Sequence, residues 1–205
     1  MPNSRIQEKK RDFFYRLAKK EGYRSRASFK LLQANLDSHF MKEGDVVVDL
    51  GAAPGGWMQA ASEIVGAEGF VFGVDLLSMR RFDSVNIASV VSDIKDPGIL
   101  LTIRNKVKGK VDVVLSDVSP NVSGIWEVDH ARQIDLARTS LDIARKILKT
   151  DGAFFCKVFQ GDLLDEFLRE LKNSLRVVKL VKPKASKAQS SELYVLGLFL
   201  KTPHD

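Results

Sequence analysis

The chain has 205 residues, 44% hydrophobic and 28% charged, an ordinary globular composition with enough length for one substantial core. One cysteine, Cys156, excludes an intrachain disulfide, and three scattered histidines (His39, His130, His204) exclude zinc spacing, so no metal is expected. No apolar run approaches the ~20 residues that span a bilayer and no secretory h-region opens the chain; the expectation is a cytoplasmic protein with no membrane partner.

The net charge of +6 is concentrated at the front. Residues 1–30 hold ten Lys/Arg against three acids, and the remainder is close to neutral. Clustered cations are the footprint of phosphate binding, with a solvated basic helix face as the alternative.

In chain order, residues 4–20 read as a helix with Ile6, Phe13, Phe14 and Leu17 on its apolar face and Gly22 as its stop. A second helix is expected from about Ser25, burying Ala27, Leu31, Leu32 and Leu36. Beyond it, apolar strands alternate with amphipathic helices. The strand VVVDL is followed by a helix at 56–65, then FVFGVD (70–75) and a weaker strand near Ala88–Val91. A helix at 97–107 leads to VDVVLSD (111–117), a long helix at about 128–149, GAFFCKVF (152–159) and a helix at 162–173. LRVVKLV (175–181) and ELYVLGLFL (192–200) close the chain.

Strands separated by helices imply right-handed crossovers and a parallel sheet. Only about ten residues join the last two strands, so those should pair antiparallel. The expected fold class is α/β. It is a seven-stranded, mostly parallel, Rossmann-like sheet of the methyltransferase kind, with a terminal antiparallel strand pair and helices on both faces. One domain, 1–205, is expected, with 1–40 a basic helical appendage and 44–202 the catalytic core.

The turn after the first strand reads DLGAAPGGWMQ. A glycine-rich strand-to-helix turn lets a ligand approach the backbone at a helix N-terminus. Gly51-Ala52-Ala53-Pro54-Gly55-Gly56 does not match the dinucleotide fingerprint G-x-G-x-x-G, and no Lys-Ser/Thr pair makes a P-loop. Pro54 removes an N–H donor, which suits a less anionic ligand; a turn needing glycine only for its backbone angles is the plain alternative. Asp75, Asp93 and Asp117 end the second, third and fourth strands, at the carboxyl edge where open α/β sheets bind ligands. Asp75 can accept from ribose hydroxyls. Helix capping is the competing role, for Asp93 above all.

The strings SRASFKLLQ (25–33), VDLGAAPGGWMQ (48–59), VDLL (74–77), SDVSPNVSG (116–124), KVFQG (157–161) and SSELYVLG (190–197) resemble the FtsJ-like, RrmJ-type ribosomal RNA ribose 2′-O-methyltransferases. They run in family order from about residue 24 to residue 200. The resemblance implies methyl transfer from S-adenosyl-L-methionine to the 2′-oxygen of a uridine in large-subunit ribosomal RNA, within the large ribosomal subunit. It implies a catalytic tetrad: Lys30 from SRASFK, Asp117 from SDVSPN, Lys157 from KVFQG and Glu192 from SSELY. Cofactor contacts follow at Asp49, Gly51, Ala52, Pro54, Gly55, Gly56 and Trp57, with Trp57 at the methionine end. Asp75, Leu76, Asp93, Ile94 and Asp117 complete that set. Val118 and Ser119 stand where the bacterial pattern has Met-Ala, and Ser191 where it has arginine.

Lys157 supports the tetrad independently, since FFCKVF is apolar on both sides and an odd place for an idle lysine; snorkelling from the strand edge is the alternative. A lysine acts as base only if its pKa falls, so Lys30 is expected to oppose the carboxylates of Asp117 and Glu192. RNA phosphates are expected at Arg5, Lys9, Lys10, Arg24 and Arg26, and at Lys182, Lys184 and Lys187 in the acid-free loop before the last strand. Trp126 and Tyr194 are candidates for base stacking, with core packing favoured for both. Cytosine carbon-5 methylation needs a cysteine nucleophile, and Cys156 reads as a small buried hydrophobe. Alternatives carried forward are transfer RNA as substrate and a non-catalytic RNA-binding assembly factor. A nicotinamide oxidoreductase is disfavoured by the missing fingerprint. A monomer is expected.

Overall fold

The computed structural model describes residues 13–186 and 190–202. Among them, seven strands form one sheet: β1 (Val46–Leu50), β2 (Phe70–Asp75), β3 (Ile87–Val91), β4 (Val111–Ser116), β5 (Leu148–Phe159), β6 (Leu175–Val181) and β7 (Glu192–Leu200). The helices are α1 (13–20), α2 (Ser28–Ser38), α3 (Gly56–Val65), α4 (Ile99–Lys106), α5 (Trp126–Ile147) and α6 (Leu164–Ser174). The expected order of elements is therefore observed, with residues 4–12 of the first predicted helix outside the described residues.

The strand order is β3-β2-β1-β4-β5-β7-β6. The first five are parallel neighbours; helices make the crossovers between them except from β2 to β3, which residues 76–86 join without one. The closing pair is antiparallel as expected, and β7 inserts between β5 and β6, antiparallel to both. β1 lies between β2 and β4, so connections leave it in opposite directions and open a crevice at the carboxyl ends of β1 and β4. One face of the sheet packs on α4, α5 and α6 through Ile103, Ile134, Leu141, Phe167 and Leu171. The other packs on α2 and α3 through Leu31, Ala34, Trp57, Met58 and Ala61.

Three elements differ from the sequence expectation. Leu36 is 72% exposed, because the buried stripe of α2 runs through Ser28, Lys30, Leu31, Ala34 and Asn35. Polar residues can hold that stripe because each finds a buried partner: Asn35 exchanges two hydrogen bonds with the Met41 backbone, at 2.8 and 3.0 Å. α5 begins at Trp126, two residues early, and stops at Ile147. β5 starts at Leu148 because Leu148 is buried and pairs with Val111, across a register shift between Val111 and Val113.

Candidate active site

At the crevice, the turn after β1 and the loop after β4 press together. Gly51 has φ +78°, and a Cβ on it would lie 2.8–2.9 Å from Val118 side-chain and backbone atoms. Beside them is an open cleft of about 720 Å³, lined among others by Gly51, Ala53, Asp75, Asp93, Asp117 and Lys157. Leu76 and Ile94 also line it. Both oxygens of Asp75 are engaged, Oδ2 by the Ala53 N–H and Oδ1 by the Leu77 N–H, each at 2.8 Å. A carboxylate oxygen has two lone pairs, so Asp75 keeps acceptor capacity toward the cleft. Asp93 caps its own turn, accepting from the Lys95 N–H at 2.9 Å, and stays exposed at the cleft wall. It does not cap α4, which is preceded by Gly98.

The remaining predicted contacts sit behind this wall. Gly55 and Gly56 are filled by the protein itself: a Cβ would come within 2.5 Å of Phe82 at Gly55 and 2.2 Å of Ser25 Oγ at Gly56. The peptide before Pro54 is cis, and Pro54 faces a neighbouring depression shared with Arg24 and Arg80. Ala52 is buried. Trp57 is buried too; its indole donates to the Ala27 carbonyl at 2.8 Å and packs on Phe155 and Tyr194.

Asp49 is fully buried beneath the cleft, and neither carboxylate oxygen has a hydrogen-bond partner. Burial pushes its pKa well up, with the Asp117 and Asp75 carboxylates adding to the rise. A raised carboxyl pKa costs stability that is absent below the unfolded-state value and grows as pH climbs toward the folded one. Asp49→Asn should therefore raise the melting temperature relative to wild type, more at pH 8 than at pH 5, in thermal unfolding without ligand. An equal shift at both pH values would exclude a titrating penalty at this position.

The cleft is acid-rich. Asp75, Asp93 and Asp117 line it, and its two lysines are paired: Lys95 with Asp135 at 2.5 Å and Lys157 with Asp117 at 3.1 Å. Such walls repel a pyrophosphate and favour a ligand bearing positive charge.

The four residues of the predicted tetrad converge at the end of the cleft. Lys157, 5% exposed, donates to the Asp117 carbonyl at 2.7 Å and contacts Ser119 Oγ as well as the Asp117 carboxylate. Lys30, 8% exposed, pairs with Glu192 Oε1 at 2.5 Å. The insertion of β7 makes this possible: Tyr194 lies opposite Lys157 and Glu192 opposite Phe159. Tyr194 joins the two pairs. Its hydroxyl lies 3.2 Å from Lys30 Nζ, 3.2 Å from Glu192 Oε1 and 3.3 Å from Asp117 Oδ1. It accepts from the ammonium and has one proton to give, to one carboxylate or the other. Burial, then the Asp117 and Glu192 charges, push the Tyr194 pKa well up, so the phenol stays neutral. Burial alone would raise Glu192, but Lys30, with help from Lys157 and Ser186, holds it below the ordinary carboxylate range. The ionic pair with Lys30 thus persists into mild acid and is lost as pH falls through that lowered value.

Tyr194 as a bridge was missed from sequence; its position two residues after Glu192 on one strand, hence on one face, was the available signal. Its core packing was expected and is observed. Trp126 was also expected in the core, but it is 44% exposed.

The predicted phosphate ligands divide. Arg5, Lys9, Lys10 and Lys187 lie outside the described residues. Lys182 and Lys184 are exposed in the β6–β7 loop, which docks on α2 through Ala185 N–H and Gln33, 3.1 Å apart, next to Glu192. Arg26 is half-buried. Arg24 is used within the chain: its guanidinium donates to the Arg80 and Arg81 carbonyls at 2.6 and 2.8 Å and to Pro54 at 3.3 Å, with its carbon 3.5 Å from the centre of the Phe82 ring. A guanidinium with a planar fork satisfies several carbonyls at once, and this one ties the loop after β2 to the glycine turn. Arg24→Ala is expected to loosen that loop, costing ~1–2 kcal/mol by denaturant melt. Arg24→Lys should recover little, because an ammonium cannot reproduce the fork. Full stability in both variants would remove this role.

The sequence profile of the FtsJ-like methyltransferases matches residues 23–199. A Methanocaldococcus jannaschii protein named ribosomal RNA large subunit methyltransferase E is 48% identical over 195 residues, 94% of this chain and 80% of its own length. Among solved structures, a Plasmodium falciparum chain provisionally named a ribosomal RNA methyltransferase superposes with TM-score 0.78 at 22% identity, covering 87% of this chain and 98% of that one. Aeropyrum pernix fibrillarin, solved with natively bound S-adenosyl-L-methionine, gives TM-score 0.55 at 18% identity, covering 86% and 75%. At these identities the two structural matches speak to the fold.

Proposed function

The chain belongs to the FtsJ-like methyltransferase family, and from that premise we propose that it methylates a ribose 2′-oxygen, of a uridine, in large-subunit ribosomal RNA. The observation that carries this reading is the joined pair of ion pairs, Lys157–Asp117 and Lys30–Glu192, held by one phenol at the end of an acid-lined cleft.

S-adenosyl-L-methionine would supply an electrophilic methyl group on a sulfonium. The residues present fit it. Asp75 has spare acceptor capacity for ribose hydroxyls, Asp93 and Ile94 offer a polar and an apolar contact farther along the cleft, and Asp117 faces the cleft from the tetrad side. The acidic walls suit a cationic donor.

The protein's part is placement and proton control. Held geometry can supply several kcal/mol of a transfer barrier by replacing a chance encounter with a fixed one. Lys157 holds the acceptor hydroxyl so that an oxygen lone pair faces the methyl carbon, and as the new O–C bond forms and the S–C bond breaks, the hydroxyl proton passes to the Asp117 carboxylate and from there to water in the cleft. Asp117 sets the direction of the Lys157 head group. Lys30, Glu192 and the neutral Tyr194 phenol hold the ribose and balance the charge around it. The exposed lysines of the β6–β7 loop, with the basic N-terminal segment, steer the RNA backbone without reading sequence. A monomer acting on the large ribosomal subunit in the cytoplasm completes the reading.

The deciding experiment incubates the protein and labelled donor with undermethylated large ribosomal subunits, free ribosomal RNA and transfer RNA. Ribose methylation is read as dinucleotides that survive alkali, since alkaline cleavage needs a free 2′-hydroxyl. Label that ends up on alkali-sensitive nucleotides would overturn ribose chemistry. Label confined to transfer RNA would overturn the ribosomal substrate, and no transfer at all would favour a non-catalytic assembly factor.

A further inference from the structure

We propose that Trp126 is a built stacking shelf for a nucleobase of the RNA strand adjoining the target ribose; this rests on the reading of the tetrad as an RNA site. Trp126 opens α5. Its indole is stacked on His130, one turn along, at 5.7 Å and 13°, and on Phe159, at the end of β5, at 5.9 Å and 24°. The support beneath is rigid. His130 is 4% exposed, its Nε2 accepts from the Leu163 N–H at 3.1 Å, and Gly161 lies so close that a Cβ would meet the imidazole at 2.7 Å. Burial lowers the His130 pKa, with the Asp162 charge opposing part of the fall. The segment leading into the shelf is pinned as well: both Asp129 oxygens accept from Ser123 or Gly124, at 2.7–3.1 Å.

On this support Trp126 stays 44% exposed, and the residues one and four places before it in the chain, Ile125 and Val122, are 57% and 75% exposed. A flat aromatic face with an apolar margin is what a base stacks on, and base–aromatic stacking tolerates any base because each has a π face. Position ties the shelf to the tetrad. Phe159 lies two residues beyond Lys157 on β5 and pairs with Glu192, so it is within about 7 Å of Lys157 along the strand. Gln133 on α5 donates to the Lys157 carbonyl at 3.0 Å, which sets helix and strand in register. Charge decides which part of the RNA fits. The Asp162 charge acts on His130 beneath the indole, and Glu127 is the next residue on α5, so this end of the helix disfavours a phosphate while an uncharged base face is not opposed. The phosphates are drawn instead to the exposed Lys182 and Lys184.

The test compares wild type, Trp126→Ala and Trp126→Phe, each checked for unchanged S-adenosyl-L-methionine binding by calorimetry. Each is titrated against fluorescein-labelled oligouridylate and against an abasic ribose-phosphate oligomer of the same length. Loss of one stacked base should weaken oligouridylate binding by about 5- to 100-fold in Trp126→Ala. Trp126→Phe should recover most of that loss, and the abasic oligomer should bind all three proteins alike. Equal affinity of the three for oligouridylate, or an equal loss on the abasic oligomer, overturns the shelf. So does a variant that binds oligouridylate normally but no longer associates with ribosomal subunits, which would mark a protein contact. A wild type that shows the stacking pattern yet transfers methyl to no RNA would sink the proposed reaction and leave the shelf standing.

Discussion

Lys157→Ala is expected to lower methyl transfer by about 10²- to 10⁴-fold, the range in which a positioned proton-handling group contributes, while donor affinity stays near that of wild type. The fold should survive. Asp117, the partner left behind, keeps the Tyr194 hydroxyl at 3.3 Å and faces an open cleft where water can reach it. Lys30 and Glu192 remain paired. Single-turnover transfer and calorimetry with S-adenosyl-L-methionine separate the two effects. Lys157→Arg should rescue little, since a planar guanidinium cannot converge on the Asp117 carbonyl, its carboxylate and Ser119 from one point as an ammonium does. Transfer at the wild-type rate in Lys157→Ala would remove this residue from the reaction.

Gly51→Ala should damage both stability and donor binding. At φ +78° a side chain costs ~1–2 kcal/mol. The added methyl would also meet Val118 Cα and N at 2.9 Å, and backbone cannot swing aside as a side-chain tip can. Overpacking of this kind costs a further ~1–3 kcal/mol, so a loss of about 2–5 kcal/mol is expected in chemical denaturation. Relief can come only by parting the β1 turn from the β4 loop, which displaces Asp117 from the cleft wall. Donor affinity should fall in parallel. An alanine variant with wild-type stability would mean that the two loops are not held together at this point.

Much of this arrangement was legible in the sequence because periodicity and spacing are local properties. Alternating strands and helices gave the sheet, and acids at successive strand ends marked its carboxyl edge. The four ionisable residues were named from strings, and the structure brings their side chains together. What could not be read was set by partners distant in the chain. Arg24 carries the same charge whether it faces RNA or three backbone carbonyls. Gly55 and Gly56 look open to a ligand until Phe82 and Ser25 are seen filling the space. Leu36 is apolar, yet the buried stripe passes it by because Lys30 and Asn35 find partners inside. Tyr194 read as core, and is core, but its one polar atom joins both ion pairs. Trp126 read as core and is surface, since helix phase at an N-terminus depends on where the preceding loop is pinned.

The central place of β7 has a consequence for when the molecule becomes competent. This strand follows every other strand in the chain, yet it fills a gap between two that precede it, and it carries both Glu192 and Tyr194. Contacts between such remote segments form late and slowly. During synthesis, Lys30, Asp117 and Lys157 are therefore made long before the wedge that unites them. Until that wedge slides home, a nascent copy has the crevice between β1 and β4 but not the two ion pairs that Tyr194 joins.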